Sequence, residues 1–163
     1  MRKLCPLVAL LTSVCCAQEA APKPPRLPDG VSVESNISYD QYKETVMDIF
    51  QPARTGADRR RPGVLVIHGS GWVDGTKESV VETFVIPYLK QGFVVANVEY
   101  RLAGVAPAPA AVNDALRAAG FFHDNAKRWN VDPRRIVATG DSAGGHLALR
   151  VGMTPKSAKR GPV

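Results

Sequence analysis

Ile136-Val137-Ala138-Thr139-Gly140-Asp141-Ser142-Ala143-Gly144-Gly145-His146-Leu147 is the stretch on which the fold turns. A short apolar run rich in β-branched residues leads into a turn, and the residues after it suit a helix. Gly140, Ser142 and Gly144 occupy that junction with one residue between each. A serine on so sharp a strand-to-helix turn takes a strained backbone and projects its hydroxyl above the strand end. Glycine two residues before and two after is needed where strand and helix backbones pass too closely for a Cβ. The competing interpretation is a glycine-rich loop with an ordinary serine. The strand before and the helix after weigh against it.

Outward from this turn the chain alternates between two periods. Val31, Val33 and Ile37 lie in one β-prone run and Thr45 to Phe50 in a second, which predicts an antiparallel pair. Val64-Leu65-Val66-Ile67 is a continuous apolar run, as in a strand buried on both faces. Thr76 to Gln91 reads as a helix closed by Gly92, and Phe93 to Val98 as another buried strand. Val112, Leu116, Ala119, Phe122 and Ala126 recur at helical spacing. Asp132-Pro133 predicts a turn into a third buried strand, Ile136 to Thr139. Strands alternating with helices of this length indicate an α/β fold, a mostly parallel sheet covered on both faces.

Of the 163 residues, 45% are apolar and 22% charged, an ordinary globular composition that excludes a disordered chain or a multi-span membrane protein. The net charge of +6 is diffuse, and its one dense run is Arg59-Arg60-Arg61. Without interleaved aromatics that run reads as a solvated loop, so no nucleic-acid partner is expected. Arg2 and Lys3, the apolar Leu4 to Val14 and the small-residue end Cys15-Cys16-Ala17 have the layout of a secretory signal peptide cut after Ala17. The apolar part is too short for a stable membrane span, and the sequence around Cys15 and Cys16 fits a lipid anchor poorly. A secreted or periplasmic protein is expected. All three cysteines (Cys5, Cys15, Cys16) lie in residues 1–17, so the mature chain would have no disulfide and no cysteine-bound zinc. Residues 18–30, with the proline-rich Pro22 to Pro28, read as an extended tether. Residues 31–163 form one unit, and nothing in them sets an oligomeric state.

A second motif, His68-Gly69-Ser70-Gly71-Trp72, follows directly on Val64 to Ile67. Taken alone it is a glycine-rich turn packing Trp72. Beside the first motif, and at another strand end, it points to a shared site, since ligands bind outside the carboxyl ends of strands in such sheets. With the stretches Val98 to Leu102 (VEYRL), Val131 to Ile136 (VDPRRI) and Gly140 to Leu149 (GDSAGGHLAL), the run Val64 to Leu149 resembles the α/β-hydrolase family. Within it, the chain is similar to the hormone-sensitive-lipase-like and feruloyl or acetyl esterase-like branch. The resemblance implies carboxylic-ester substrates, small or linked to a polysaccharide, with Ser142 as nucleophile. It implies oxyanion donors at Ser70, Gly71 and Ala143, and supporting roles for His68, Gly69, Gly140 and Gly144. Neither a cofactor nor a metal is implied. Ser70 stands where the family motif has a third glycine, which keeps the amide but narrows the allowed backbone angles. Arg101 and Asp114 are expected to be polar residues near the site, paired or solvated.

The family's triad runs serine, then acid, then histidine along the chain. After Ser142 come 21 residues with no acid and one histidine, His146. Neither triad acid nor triad histidine is therefore found in this chain, which reads as an α/β-hydrolase fold truncated after the nucleophile helix. His146, one helical turn past the serine, is expected to face packing or solvent rather than serve as the base. Three functions compete: an exported serine esterase of which this is the N-terminal half, a peptidase of the prolyl-oligopeptidase type, and a binding protein without catalysis. The esterase is the preferred reading; the short stretch before the first strand disfavours the peptidase, and the missing triad members are what would favour the third.

Overall fold

A computed structural model describes residues 25–53 and 59–155. The expected signal peptide lies outside the described residues. Five strands form one sheet: β1 (Ser32–Ser38), β2 (Val46–Gln51), β3 (Arg61–Ile67), β4 (Val94–Val98) and β5 (Val131–Gly140), in the order β1-β2-β4-β3-β5. β4, β3 and β5 pair in parallel, whereas β1–β2 and β2–β4 are antiparallel. The sheet is therefore mixed, a parallel half carrying the site with an antiparallel extension made by the opening hairpin.

Period-two alternation in the central strands divides the core. Leu65 and Ile67 face a cluster with Met47, Ile49, Ala96, Phe122, Trp129 and Leu147, while Val64 and Val66 face Phe50, Val80, Val85, Leu89 and Val95. A run apolar at every position is what two covered faces require. Each fully buried side chain of this kind contributes roughly 1.5–3 kcal/mol. One face is covered by α2 (Ala110–Asp124), a 3-10 turn (Ala126–Trp129) and α3 (Ser142–Met153). The other is covered by the segment expected as one helix from Thr76 to Gln91. That segment is a 3-10 turn (Lys77–Val80), a π turn (Val81–Val85) and a short α1 (Ile86–Lys90). Pro87 has no N–H to give the preceding turn, so regular α geometry cannot run through it.

Among the described residues β5 pairs on one side only, with β3, and Val137 is 49% exposed. Two expectations need correction. The turn at Asp132-Pro133 is a bulge inside β5, where the register jumps from Val131 opposite Arg61 to Ile136 opposite Gly63. There the Asp132 carboxylate accepts from Arg134 N–H at 3.1 Å, a local turn that a strand accommodates by bulging. The end of the tether is docked, with Leu27 packed on the second cluster.

Arg101 and Asp114 are paired, and they are buried rather than solvated. The Arg101 side chain donates through Nη2 (2.6 Å) and Nε (2.9 Å), its backbone N–H donates at 3.0 Å, and its guanidinium lies 3.6 Å over the Tyr42 ring. The hydrogen bonds that Arg101 donates to the Asp114 carboxylate raise the Arg101 pKa against the opposing effect of burial. Asp114→Ala would leave the guanidinium buried without its anion. The expected loss is about 3–5 kcal/mol, read as a lower urea midpoint, whereas Arg117→Ala should change it little.

Candidate active site

Both motifs sit at the carboxyl ends of adjacent parallel strands, and contact between their backbones sets the site. Ser142 opens α3 with φ +46°, a left-handed value for a residue with a Cβ. Such strain of about 1–3 kcal/mol persists only where the surroundings over-determine it. Here they do. A Cβ on Gly144 would lie 2.7 Å from His68 O, and one on Gly140 would lie 2.7 Å from the Gly144 carbonyl carbon. A Cβ on Gly69 would lie 2.8 Å from Asp141 O. The strand–helix turn is thus seated on the end of β3 and on the first residues of the loop that follows.

That loop is strained in its own right. Ser70, Gly71 and Trp72 all have positive φ, at +74°, +62° and +63°. Three successive left-handed residues turn the chain sharply, and two of them bear side chains. Gly69 is buried, while Ser70, Gly71 and Ser142 are exposed. Ala143 is buried, and its N–H falls in the first turn of α3, where no preceding carbonyl is available to pair it. An exposed hydroxyl, a helix N-terminus and a tight loop carrying two further amides are the parts an acyl-transfer site uses.

None of the three histidines hydrogen-bonds Ser142. His68 is fully buried, with Nε2 2.8 Å from Glu99 Oε1 and Nδ1 3.2 Å from Gly69 O. His123 pairs with Asp124 at 3.0 Å on α2. His146 is exposed and meets the Trp72 ring edge-on at 5.4 Å. It therefore packs against the loop, as the helix geometry implied. Between that contact and α2 lies an apolar hollow of about 330 Å³ lined by Gly71, Trp72, Ala103, Ala106, Val112 and His146. Among the described residues no cluster of three His, Cys, Asp or Glu could hold a metal, and no helix is long and apolar enough to cross a membrane.

Sequence reasoning passed over the residues beneath the loop. Tyr100 donates its hydroxyl to His68 O (3.1 Å) and Gly69 O (3.3 Å), and its ring stacks on that of His68 at 4.4 Å. Glu99 binds His68, and Lys77 reaches Asp48 at 2.9 Å while its own backbone N–H caps Glu99 at 3.0 Å. The stretch Val98 to Leu102 was noticeable, yet nothing local says that Glu99 and Tyr100 point under a loop thirty residues earlier. Burial, then the charges of Glu99 and Asp141, push the Tyr100 hydroxyl up to about 12 from its ordinary value of 10.0. A raised pKa favours the neutral phenol in the fold, so this contribution to stability is complete below about pH 10 and lost as pH rises towards 12. Urea midpoints should fall between about pH 9 and about pH 11.5, and fall less in Tyr100→Phe.

A family model, BD-FAE, matches residues 47–160, spanning both motifs and the elements between them. The chain belongs to the BD-FAE family, within the α/β-hydrolase esterases. Similar proteins include an AB hydrolase superfamily protein of Schizosaccharomyces pombe, 37% identical over 61% of this chain and 29% of its own length. The carboxylesterase NlhH of Mycobacterium tuberculosis is 30% identical over 77% of this chain and 39% of its own. Among solved structures, a bacterial heroin esterase superposes with TM-score 0.67 at 36% identity, covering 83% of this chain and 43% of that one. The α/β-hydrolase fold expected from the sequence is therefore the fold found. The chain spans less than half the length of each of these relatives, and the matched BD-FAE segment holds all the site residues described above.

Proposed function

We propose that the protein is an exported serine esterase in which this chain supplies the nucleophile and the oxyanion hole. The observation that carries the proposal is the left-handed Ser142 at the head of α3, pressed against a loop whose own residues are left-handed. In this reading Ser142 Oγ attacks the ester carbonyl. The N–H groups of Ser70, Gly71 and Ala143 receive the charge that develops on oxygen, and collapse of the intermediate expels the alcohol and leaves an acyl-serine. Water then releases the acid. In this reading the histidine and acid that move the protons come from polypeptide outside these residues: His68 and His123 hold other partners, and His146 meets Trp72 edge-on and makes no hydrogen bond to Ser142. The hollow beside Gly71 and Trp72 suits the apolar part of a small ester or of an ester group on a polysaccharide. Export follows from the layout of residues 1–17.

The test is covalent. A fluorophosphonate applied to the whole enzyme should modify the peptide containing Ser142 and stop hydrolysis of an acetate ester. Continued hydrolysis without that adduct would sink the proposal. The oxyanion assignment has its own check at Gly71, where a Cβ would find nothing nearer than Val73 Cγ2 at 3.9 Å. Space is therefore not the obstacle in Gly71→Val; a β-branched residue at φ +62° is. Displacing that amide should lower kcat by roughly 10²–10³ with little change in KM. A raised KM at constant kcat would make the loop a substrate-binding element.

A further inference from the structure

The Gly69–Ser70 peptide unit has its carbonyl anchored on the inside of the loop. Gly69 O accepts from Tyr100 Oη at 3.3 Å and lies 3.2 Å from His68 Nδ1. In a trans peptide the carbonyl and the following N–H point in opposite directions. Holding Gly69 O against Tyr100 and His68 therefore turns the Ser70 N–H away from them. That aim needs enforcement, because Ser70 carries a Cβ at φ +74° and a relaxed peptide would flip. Gly75 closes the same corner, where a Cβ would lie 2.9 Å from His68 Nδ1 and 3.2 Å from Gly69 O.

Nδ1 can hold a carbonyl only as an N–H donor. The other ring nitrogen faces Glu99, whose carboxylate also accepts the backbone N–H of Lys77 at 3.0 Å on Oε2 and that of Tyr100 at 3.3 Å on Oε1. A carboxylate collecting backbone donors on both oxygens acts as an acceptor. The contact of His68 Nε2 at 2.8 Å is thus a second N–H donation. The ring's face stacks on Tyr100 at an interplanar angle of 15°, which fixes its orientation. Lys77 is itself fixed by its ammonium on Asp48, so the position of Glu99 is tied to the antiparallel half of the sheet.

We propose that Glu99 is a positioning residue for the oxyanion hole. It holds His68 as a donor through both ring nitrogens, so that the ring pins Gly69 O inward, aims the Ser70 N–H at the oxyanion and places positive charge beneath it. This rests on the reading of Ser70 as an oxyanion donor. Glu99→Gln separates charge from shape. The amide can give its NH₂ to Nε2, leaving a neutral ring that still donates from Nδ1, so the loop keeps its form and loses the charge. Glu99→Ala removes both.

The whole enzyme, labelled with ¹⁵N at histidine, is examined by NMR and by acetate-ester kinetics. In the parent, His68 should give two exchange-protected ring N–H signals, assigned by their loss in His68→Asn. Glu99→Gln should retain only the Nδ1 signal and lower kcat about 10-fold, and Glu99→Ala about 100-fold, with KM within about twofold in each. A single ring N–H in the parent, an unchanged kcat in Glu99→Gln, or a raised KM at constant kcat would each overturn the proposal. If Glu99→Ala does not fold, the isosteric Gln variant decides alone. A parent without Ser142-dependent turnover would defeat the esterase reading instead, and the ring signals would still judge how the loop is held.

Discussion

Ser142→Ala is expected to lower kcat of the whole enzyme for an acetate ester by roughly 10⁶, close to the uncatalysed level apart from what the oxyanion hole and binding retain. The substitution removes the hydroxyl and keeps the Cβ, so the left-handed backbone at φ +46° is as strained as before. Stability should therefore hold, with Tm within about 2 °C of the parent. The 163 residues on their own should behave differently. A serine hydroxyl needs a base within about 2.6–3.2 Å, and none of the three histidines hydrogen-bonds Ser142. His68 is locked between Glu99 and Gly69, His123 lies with Asp124 on α2, and His146 rests its ring against Trp72. Hydrolysis by this polypeptide should then match that of its own Ser142→Ala variant. Multiple turnovers lost in the variant, with a pH dependence near a histidine pKa, would overturn this.

The same contrast separates what the sequence makes legible from what it does not. Val64 to Ile67 reads correctly because a continuous apolar run suits a covered sheet, Val94 to Val98 because Asn97 alone interrupts an apolar run, and the glycine spacing around Ser142 suits a strand–helix turn. β5 has a similar composition, and among the described residues it pairs only with β3. The segment from Thr76 to Gln91 has helical spacing, yet Pro87 and the need to bury Lys77 break its regularity. At the site, the residues of the two motifs are within reach because glycine and serine patterns are local. Tyr100, Glu99, Lys77 and Asp48 are not. Their partners lie 22 to 32 residues away, and a buried Glu–His or Lys–Asp pair leaves no local trace in the sequence.

Gly144→Ala is expected to abolish folding rather than activity alone. The added Cβ would meet His68 O at 2.7 Å and the Ile67 carbonyl carbon at 2.8 Å, both main-chain atoms at the end of the strand that pairs with β4 and β5. A side chain in the way could rotate; a strand backbone held on both edges cannot. Relief requires α3 to lift from β3, which uncovers Leu147 and Val151 and pulls Ser142 from its turn. A loss of about 4 kcal/mol or more is expected, against total stabilities of only about 5–15 kcal/mol. Other glycines of the same helix provide the control. At Gly145 a Cβ would come no nearer than 3.2 Å, to Gly140 O, so a shift of a few tenths of an ångström suffices. Gly152 has nothing within 4 Å, and alanine there should add about 0.5–1 kcal/mol through helix propensity. Soluble yield and Tm of the three alanine variants give the ranking, with Gly152→Ala above the parent, Gly145→Ala somewhat below it and Gly144→Ala unfolded. A soluble Gly144→Ala protein melting within a few degrees of the parent would mean that α3 does not press on β3 as described. The enforced backbone of Ser142 would then lose its cause, because the contact that excludes a Cβ at Gly144 is the one that holds the serine above the sheet.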